Sequence, residues 1–235
     1  MGHATVLIEL GGVRLLTDPV LRQRVAYLRR DGPAPATPTA VDAVLLSHLH
    51  YDHLDLPSLR QVGAATRLLA PAGAGALLRK AGLSSVEELA RGDEVRVGDV
   101  AVSATPAAHD PRRRPGGARA DPLGFIVRAT QSVYFAGDTD LFPEMAGLGP
   151  VDLALLPVAG WGPKLGPGHL DPERAARAAG LVGASVAVPI HWGTLRSARA
   201  GAWFSDPPRQ FVAELARLAP AVRPHVLQPG ETLEL

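Results

Sequence analysis

The stretch His48-Leu49-His50-Tyr51-Asp52-His53 places three imidazoles and one carboxylate within six residues. Imidazole nitrogen and carboxylate oxygen suit zinc, iron, manganese or nickel. A spacing of two residues does not put His48 and His50 on one helical face, where neighbours are three or four apart. The apolar run before the motif, residues 41–47, indicates instead a loop at the end of a buried strand. A histidine-rich surface turn is the alternative, and the carboxylate at this position argues against it.

Metal-type ligands appear at three more points where a predicted strand ends. His109, Asp138 and His191 come shortly after the apolar runs at residues 100–104, 132–136 and 185–190. Loops at one edge of a sheet scaffold can bring such side chains to one site. A catalytic zinc takes three protein ligands and a water, so this larger set suits two metal ions that share a carboxylate. The candidate ligands are His48, His50, Asp52, His53, His109, Asp138 and His191.

Length, charge and cysteine content limit the classes of function. The 235 residues suffice for a domain with a substantial core, and we expect one domain over residues 1–235. The formal net charge of +1 provides no global field that would attract nucleic acid or anionic lipid. The absence of cysteine excludes disulfides, thiolate ligands and thiol nucleophiles. Because no apolar run reaches membrane-spanning length and no signal peptide is visible, we expect a cytoplasmic protein, with its oligomeric state undetermined.

The order of the predicted elements indicates two strand-rich halves, each closed by helices, and hence a β-sandwich with helices outside. Two apolar runs around Gly11-Gly12 predict a hairpin. Asp55, Asp171 and Asp206, each followed within two residues by proline, predict helix N-termini. Further expectations are short helices at residues 72–81 and 85–90, and closing strands at residues 226–227 and 232–235.

The chain resembles the metallo-β-lactamase superfamily in the order and content of its motifs. The residues that carry the resemblance are the motif at 48–53, His109, Ala136-Gly137-Asp138-Thr139 and Ile190-His191-Trp192-Gly193. The resemblance implies an α/β fold, a four-layer αββα sandwich with a binuclear site in the groove between its sheets. By motif, His48, His50 and His109 would hold the first metal. The second would be held by Asp52, His53 and His191, with Asp138 as the bridge.

Within the superfamily, residues 2–9, 16–19 and 168–173 resemble the branch that contains ascorbate-6-phosphate lactonase and N-acyl-phosphatidylethanolamine phospholipase D. The chain departs from the phospholipase at Asp110, where that enzyme has an aromatic residue, and it is shorter at its N-terminus. A lipid substrate is therefore not the leading expectation. The true β-lactamases often use a cysteine ligand, which this chain lacks, so we also set a β-lactam substrate aside.

Three polar residues near the ends of predicted elements have two interpretations each. His169 is either packed at a helix start or acts on the substrate as a general acid or orienting donor, and the branch resemblance favours the second. His3 could stabilise a turn or belong to the active site. Asp18, before Pro19, is a turn residue or a hydrogen-bond partner of a metal-bound histidine.

Two loops offer further substrate contacts. Trp161, between glycines, suits a pocket wall. The basic run shortly after His109 is either a solvated loop or a site that captures a phosphate or carboxylate. Its residues are Arg112, Arg113 and Arg114.

The ligand set predicts a hydrolase that needs no protein nucleophile. Two divalent metal ions, zinc first and manganese, iron or nickel as alternatives, would polarise a bridging water so that hydroxide attacks a carbonyl or phosphoryl centre. Asp52 and His169 are the candidate catalytic side chains. The expected substrate is a small, anionic ester, lactone or phosphodiester. The alternatives are a nuclease or phosphodiesterase of the same superfamily, for which the chain lacks a basic track, and a non-catalytic metal-binding protein.

Overall fold

A computed structural model describes residues 1–160, 165–197 and 206–235. The helices are α1 (Leu56–Val62), α2 (Gly75–Lys80), α3 (Pro172–Leu181) and α4 (Pro207–Leu218), with a 3-10 helix at Pro143–Gly147. The strands are β1 (Leu7–Leu10), β2 (Val13–Thr17), β3 (Arg24–Val25), β4 (Leu28–Arg30), β5 (Ala43–Leu45), β6 (Arg67–Pro71), β7 (Val86–Leu89), β8 (Glu94–Val97), β9 (Val100–Pro106), β10 (Leu123–Arg128), β11 (Ser132–Phe135), β12 (Val151–Pro157), β13 (Ala184–Ile190), β14 (Leu195–Ser197) and β15 (Arg223–Pro224).

These strands form two main sheets and one small one. The first has the order β1-β2-β5-β6-β7 and is parallel except for the antiparallel β1–β2 hairpin. The second has the order β15-β13-β12-β11-β10-β9-β8, antiparallel from β8 to β11 and parallel beyond. The small sheet has the order β14-β4-β3 and is antiparallel. The hairpin predicted around Gly11-Gly12 is confirmed.

The alternation of side chains along each strand divides the apolar residues between two faces. Leu15 of the first sheet and Phe125 of the second lie in one buried cluster, which joins the two sheets face to face. Their neighbours point the other way, because successive side chains of a strand lie on opposite faces. Leu16 packs outward with α1 and α2, and Ile126 packs outward with α3 and α4. The four-layer αββα sandwich is therefore confirmed.

The three predicted helix N-termini are confirmed in detail. The side chain of Asp55 accepts a hydrogen bond from the backbone N–H three residues later, as do Asp171 and Asp206 at their helices. A proline stands in the first turn of each helix, where its missing N–H costs no hydrogen bond. None of the helices in the described residues combines the length and apolar character needed to cross a bilayer.

Some of the predicted elements were wrong. Residues 86–89, expected within a short helix, form strand β7 because they pair with β6, and the Glu88 carboxylate accepts the N–H groups of Gly73 and Gly75. The segment 226–235 forms no strand. It turns at Gln228, whose carbonyl accepts from the Glu231 N–H, and Leu227 and Leu233 pack against the inner core. The small sheet was not predicted, because strands of two or three residues are too short to show the alternation of apolar and polar residues that identifies a strand.

Candidate metal centre

The predicted ligands lie on loops that leave the strands at one end of the sandwich. His48 follows β5 in the first sheet, whereas His109, Asp138 and His191 follow β9, β11 and β13 in the second. A tight turn after His50 holds the motif together, because the His50 carbonyl accepts hydrogen bonds from the N–H groups of His53 and Leu54. The structure brings all the predicted ligands to one buried cluster.

Two sets of ligand atoms, each within 4.8 Å of one another, share no residue. Two further sets overlap with them: Asp18 with His48 and His53, and Asp138 with His109 and His169. Group A consists of His48, His50 and His109. Group B consists of His3, Asp52, His53 and His191. In group A, His50 Nδ1 lies 2.9 Å from His109 Nε2, and in group B, His53 Nε2 lies 3.0 Å from His191 Nε2. Ring nitrogens from different loops therefore converge on two points.

Asp138 lies between the two groups. Its Oδ2 is 3.1 Å from His53 Nε2 and 3.4 Å from His191 Nε2, both in group B. The same oxygen lies 3.9 Å from His48 Nε2 in group A. This carboxylate is in the position that a shared ligand would need.

Hydrogen bonds behind the rings fix which nitrogen faces the cluster. His109 Nδ1 donates to the Gly168 carbonyl at 2.6 Å, and His191 Nδ1 donates to the Ala159 carbonyl at 2.7 Å. Because a carbonyl can only accept, the proton is on Nδ1 and the lone pair of Nε2 points inward. Sequence analysis did not identify these acceptors, since every residue carries a carbonyl and no side-chain type marks them.

Asp18 does the same for His53. Its buried carboxylate accepts from His53 Nδ1 at 2.7 Å, from the Ser47 N–H at 2.7 Å and from the Ser47 hydroxyl at 2.5 Å. The Ser47 oxygen lies 2.9 Å from His48 Nδ1. Because the Ser47 hydroxyl donates its hydrogen to Asp18, the oxygen accepts a hydrogen bond from the Nδ1–H group of His48. Of the two interpretations of Asp18, the geometry favours the hydrogen-bond partner of a ligand histidine.

The donor set fits divalent metal ions. Asp18, Asp52 and Asp138 are buried, and among the described residues their ion-pair partners are all histidines. Buried carboxylates in proteins are paired with cations or coordinate metals. His48 Nε2 and Asp138 Oδ1 are buried and have no hydrogen-bond partner among the described residues. Such unpartnered atoms at the centre of a ligand cluster are what a metal ion would satisfy.

The protonation states follow from burial and from neighbouring charges. Burial holds the pKa of His48 well below its usual range and lowers the pKa of His109 to about 4, so both rings are neutral. Burial opposes ionisation of Asp52 and Asp138, but the adjacent histidines hold the pKa of both carboxyls well below the usual value. Burial also opposes charge on His53, yet those two carboxylates raise its pKa well above the usual value.

His3 is part of group B. Its Nε2 lies 3.1 Å from Asp52 Oδ2, and burial lowers the pKa of its ring to about 3. Its backbone is left-handed, with φ of 57°. The turn is held by a hydrogen bond from the His3 N–H to Thr194 Oγ1 at 2.8 Å and one from the His191 N–H to the His3 carbonyl at 2.9 Å. The geometry therefore supports both of its interpretations.

His169 reaches the cluster from the loop before α3. Its Nε2 lies 3.4 Å from Asp138 Oδ2, and its Nδ1 faces the carbonyls of Gly166 and Pro167 at 3.2 and 3.1 Å. Burial lowers the pKa of this ring, but the hydrogen bond and charge of Asp138 outweigh burial and raise it. Its contact with the centre agrees with a role in catalysis, which stays a prediction.

The other predicted substrate contacts lie at different places. Trp161 is outside the described residues. Arg112 is exposed and forms an ion pair with Asp110 at 3.2 Å. Arg113 donates to the carbonyls of Leu49 and Leu54, and its guanidinium lies over the ring of Tyr51 at 4.1 Å. Arg114 is exposed, and its carbonyl accepts from the Gly117 N–H. Arg113 thus braces the metal-motif loop, and substrate binding by the three arginines stays a prediction.

Comparison with known proteins places the chain among metal-dependent relatives. Residues 13–192 match the family model described as Beta-lactamase superfamily domain. A UPF0173 metal-dependent hydrolase of Rubrobacter xylanophilus is 32% identical over 99% of this chain and 94% of the relative. The N-acyl-phosphatidylethanolamine-hydrolyzing phospholipase D 1 of Caenorhabditis elegans is 30% identical over 83% of this chain and 63% of its own length. An uncharacterized protein of Mycobacterium tuberculosis is 35% identical, and this chain spans 58% of its length.

Among solved structures, Igni18, described as a novel metallo hydrolase from the archaeon Ignicoccus hospitalis, is similar with a TM-score of 0.75 and 26% identity. The similarity covers 99% of this chain and 94% of Igni18. The family match, the nearly complete coverage of the Rubrobacter relative and the shared architecture show that the chain belongs to the metallo-β-lactamase superfamily.

Proposed function

We propose that this protein is a metal-dependent hydrolase with a binuclear centre that hydrolyses a small ester, lactone or phosphodiester. The observation that carries the proposal is the position of Asp138 Oδ2, within 3.1 to 3.9 Å of nitrogens from both ligand groups. A single-metal site would not need a second group of convergent imidazoles on the far side of that carboxylate.

The residues have distinct parts in this proposal. His48, His50 and His109 would hold one metal ion, while Asp52, His53 and His191 would hold the other, with Asp138 shared. Zinc suits this set of nitrogen and oxygen donors, and manganese, iron or nickel are the alternatives. When bound, such ions lower the pKa of a coordinated water and withdraw charge from a carbonyl or phosphoryl oxygen.

Asp52 and His169 would handle protons. The Asp52 carboxylate is ionised and can therefore only accept a hydrogen bond, which suits it to orient the hydrogen of an attacking water at its Oδ2. His169 is partly exposed, and its Nε2 is directed at the centre. A proton on this nitrogen could pass to the oxygen of the leaving group, as general acids do.

The relatives support the class of reaction. The Rubrobacter relative is described as a metal-dependent hydrolase, and its similarity to this chain covers 94% of its length. The Caenorhabditis relative is described as a phospholipase D that hydrolyses N-acyl-phosphatidylethanolamine, a phosphodiester. We therefore rank a phosphodiester beside lactones and carboxylic esters. The preference for a small, anionic substrate remains a prediction from the sequence.

The test combines metal analysis with turnover. Protein purified without chelator should hold close to two metal ions per chain and should hydrolyse at least one class among aryl phosphodiesters, sugar lactones and acyl esters. A chelator should abolish the activity, and the added metal should restore it. Asp152→Ala, which removes an exposed carboxylate at the start of β12, is the control for Asp138→Ala. Activity that survives both the chelator and Asp138→Ala would show that it does not come from this site.

A further inference from the structure

The small sheet carries a row of arginines on its outer face. Arg24 of β3 lies directly opposite Arg29 of β4, and Arg29 lies directly opposite Arg196 of β14. Residues that face each other across an antiparallel pair are on the same side of the sheet, with Cβ atoms about 4.5–5.5 Å apart. The other side is buried: Leu28 and Leu195 lie in a separate apolar cluster, and Arg30, which lies opposite Leu195, is on this side as well. The row is therefore exposed on a rigid support.

The charge in this row is not balanced within the described residues. Like charges directly opposite each other destabilise a sheet. Arg24 and Arg29 form no ion pair with a described carboxylate, and Arg196 has one weak partner, Asp31, at 3.5 Å. The arrangement has an electrostatic cost that no described contact offsets.

A buried cation adds to the same field. Arg30 is 4% exposed, and its guanidinium donates to the carbonyls of Val20, Met1 and Arg22 rather than to a described carboxylate. A buried guanidinium is ordinarily matched by a charge of opposite sign. Because Arg30 is on the inner side of the sheet, it adds positive charge beneath the row and no donor to the outer face.

These side chains surround a cavity of about 330 Å³. Its lining residues are Gln23, Arg24, Arg29, Arg30, Asp31, Gly32 and Arg196. Guanidinium groups bind phosphate through paired N–H donors, and a phosphoryl group offers three oxygens and nearly two negative charges. A carboxylate offers two oxygens and one charge, which a single arginine can satisfy. A row of three arginines matches the phosphoryl group better.

We propose that the outer face of the β3–β4–β14 sheet is a binding site for the phosphoryl group of a small ligand, separate from the metal centre. The site uses Arg29 as its central donor, flanked by Arg24 and Arg196. None of these three is among the metal-ligand candidates, so the proposal stands apart from the proposed hydrolysis.

The test titrates the metal-loaded protein with inorganic phosphate in chloride buffer by calorimetry. Arg29→Gln should weaken phosphate binding by about tenfold or more, because the central charge-assisted donor pair is lost. Arg29→Lys keeps the positive charge but loses the paired N–H donors of the guanidinium, so its phosphate affinity should lie between those of the wild type and Arg29→Gln. Arg177→Gln removes an equally exposed arginine on α3 and should bind as the wild type does. Phenyl phosphate should bind as tightly as inorganic phosphate if the ligand is an organic phosphate, and more weakly if it is the free ion.

Thermal melting separates a binding role from a structural one. Without phosphate, Arg29→Gln should melt at or up to about 3 °C above the wild type, because two like-charge contacts are relieved. Phosphate should raise the melting temperature of the wild type, and at the same concentration it should raise that of the variant by less. Phosphate binding that is unchanged in Arg29→Gln, or that disappears only in Asp138→Ala, would overturn the proposal. An oligonucleotide that binds this face at least tenfold more tightly than phosphate would also overturn it, in favour of a polyanion surface.

Discussion

Replacing Asp18 by Asn should weaken the half of the metal centre that contains His53 more than the half that contains His48, which Asp18 reaches only through Ser47. The carboxylate accepts three hydrogen bonds, from the Ser47 N–H, the Ser47 hydroxyl and His53 Nδ1. An amide of the same shape keeps one acceptor oxygen for the Ser47 N–H and presents an NH₂ group to His53. Two donors cannot face each other, so the proton of His53 should move to Nε2, the nitrogen that faces group B.

The expected size of the effect follows from that change of tautomer. Losing the partner behind a ligand histidine costs about 10–100-fold in metal affinity, which is about 1.4–2.8 kcal/mol. A titration against a chromophoric chelator should show one binding step weakened by this amount and the other, which depends on Asp18 only through Ser47, weakened by less. Asp152→Asn is the control. Like Asp18, the Asp152 carboxylate accepts from the N–H and hydroxyl of a serine, but it is exposed at the start of β12. Equal weakening of both steps, or none, would refute the reasoning from the tautomer.

Three further outcomes are expected. Asp138→Ala should reduce the metal content below two ions per chain and lower turnover by more than the ~10–100-fold typical of outer hydrogen-bond partners, as elemental analysis and initial rates would show. Arg113→Ala should lower the free energy of unfolding in urea by about 1–3 kcal/mol because buried carbonyls lose their donor, whereas Arg112→Ala should change it by less than about 0.5 kcal/mol. Gly137→Ala should destabilise the fold by about 1–3 kcal/mol, since its φ is +62° and the new Cβ would lie 2.5 Å from the nearest side-chain carbon, while Gly147→Ala, with open space around it, should not. Equal unfolding curves for either pair of variants would contradict the corresponding contact.

The sequence could identify the candidate ligands, and predict that they lie close together, because their signals are local. His48 follows a short apolar run, and the same event recurs at His109, Asp138 and His191. Because strand ends meet at one edge of a sandwich, we could expect these side chains to lie close together without knowing the order of the strands. The layers were predictable for a similar reason, since neighbours such as Leu15 and Leu16 must face opposite sides of their strand.

The errors have a common physical origin in contacts between distant segments. Residues 86–89 contain two glutamates that suit a helix, and only pairing with β6 makes them a strand. Leu227 and Leu233 have the apolar character of strand residues, but they are used as packing contacts on the core rather than in a ladder. No local pattern reports which segment lies alongside, and in these two places that neighbour decides the structure.

The two halves of the candidate metal centre differ in how strongly they depend on contacts between distant segments. Group A takes its ligands from the loops after β5 and β9, and the hydrogen bonds behind His48 come from the adjacent Ser47. Group B needs His3 near the chain start, the 48–53 motif, and His191 near its far end, 138 residues from His53. The His3 N–H donates to Thr194, and the His191 N–H donates to the His3 carbonyl, so these hydrogen bonds join the N-terminal turn to the loop after β13. The group B site is therefore complete only when segments from both ends of the chain have docked, which makes its metal affinity a direct measure of tertiary structure.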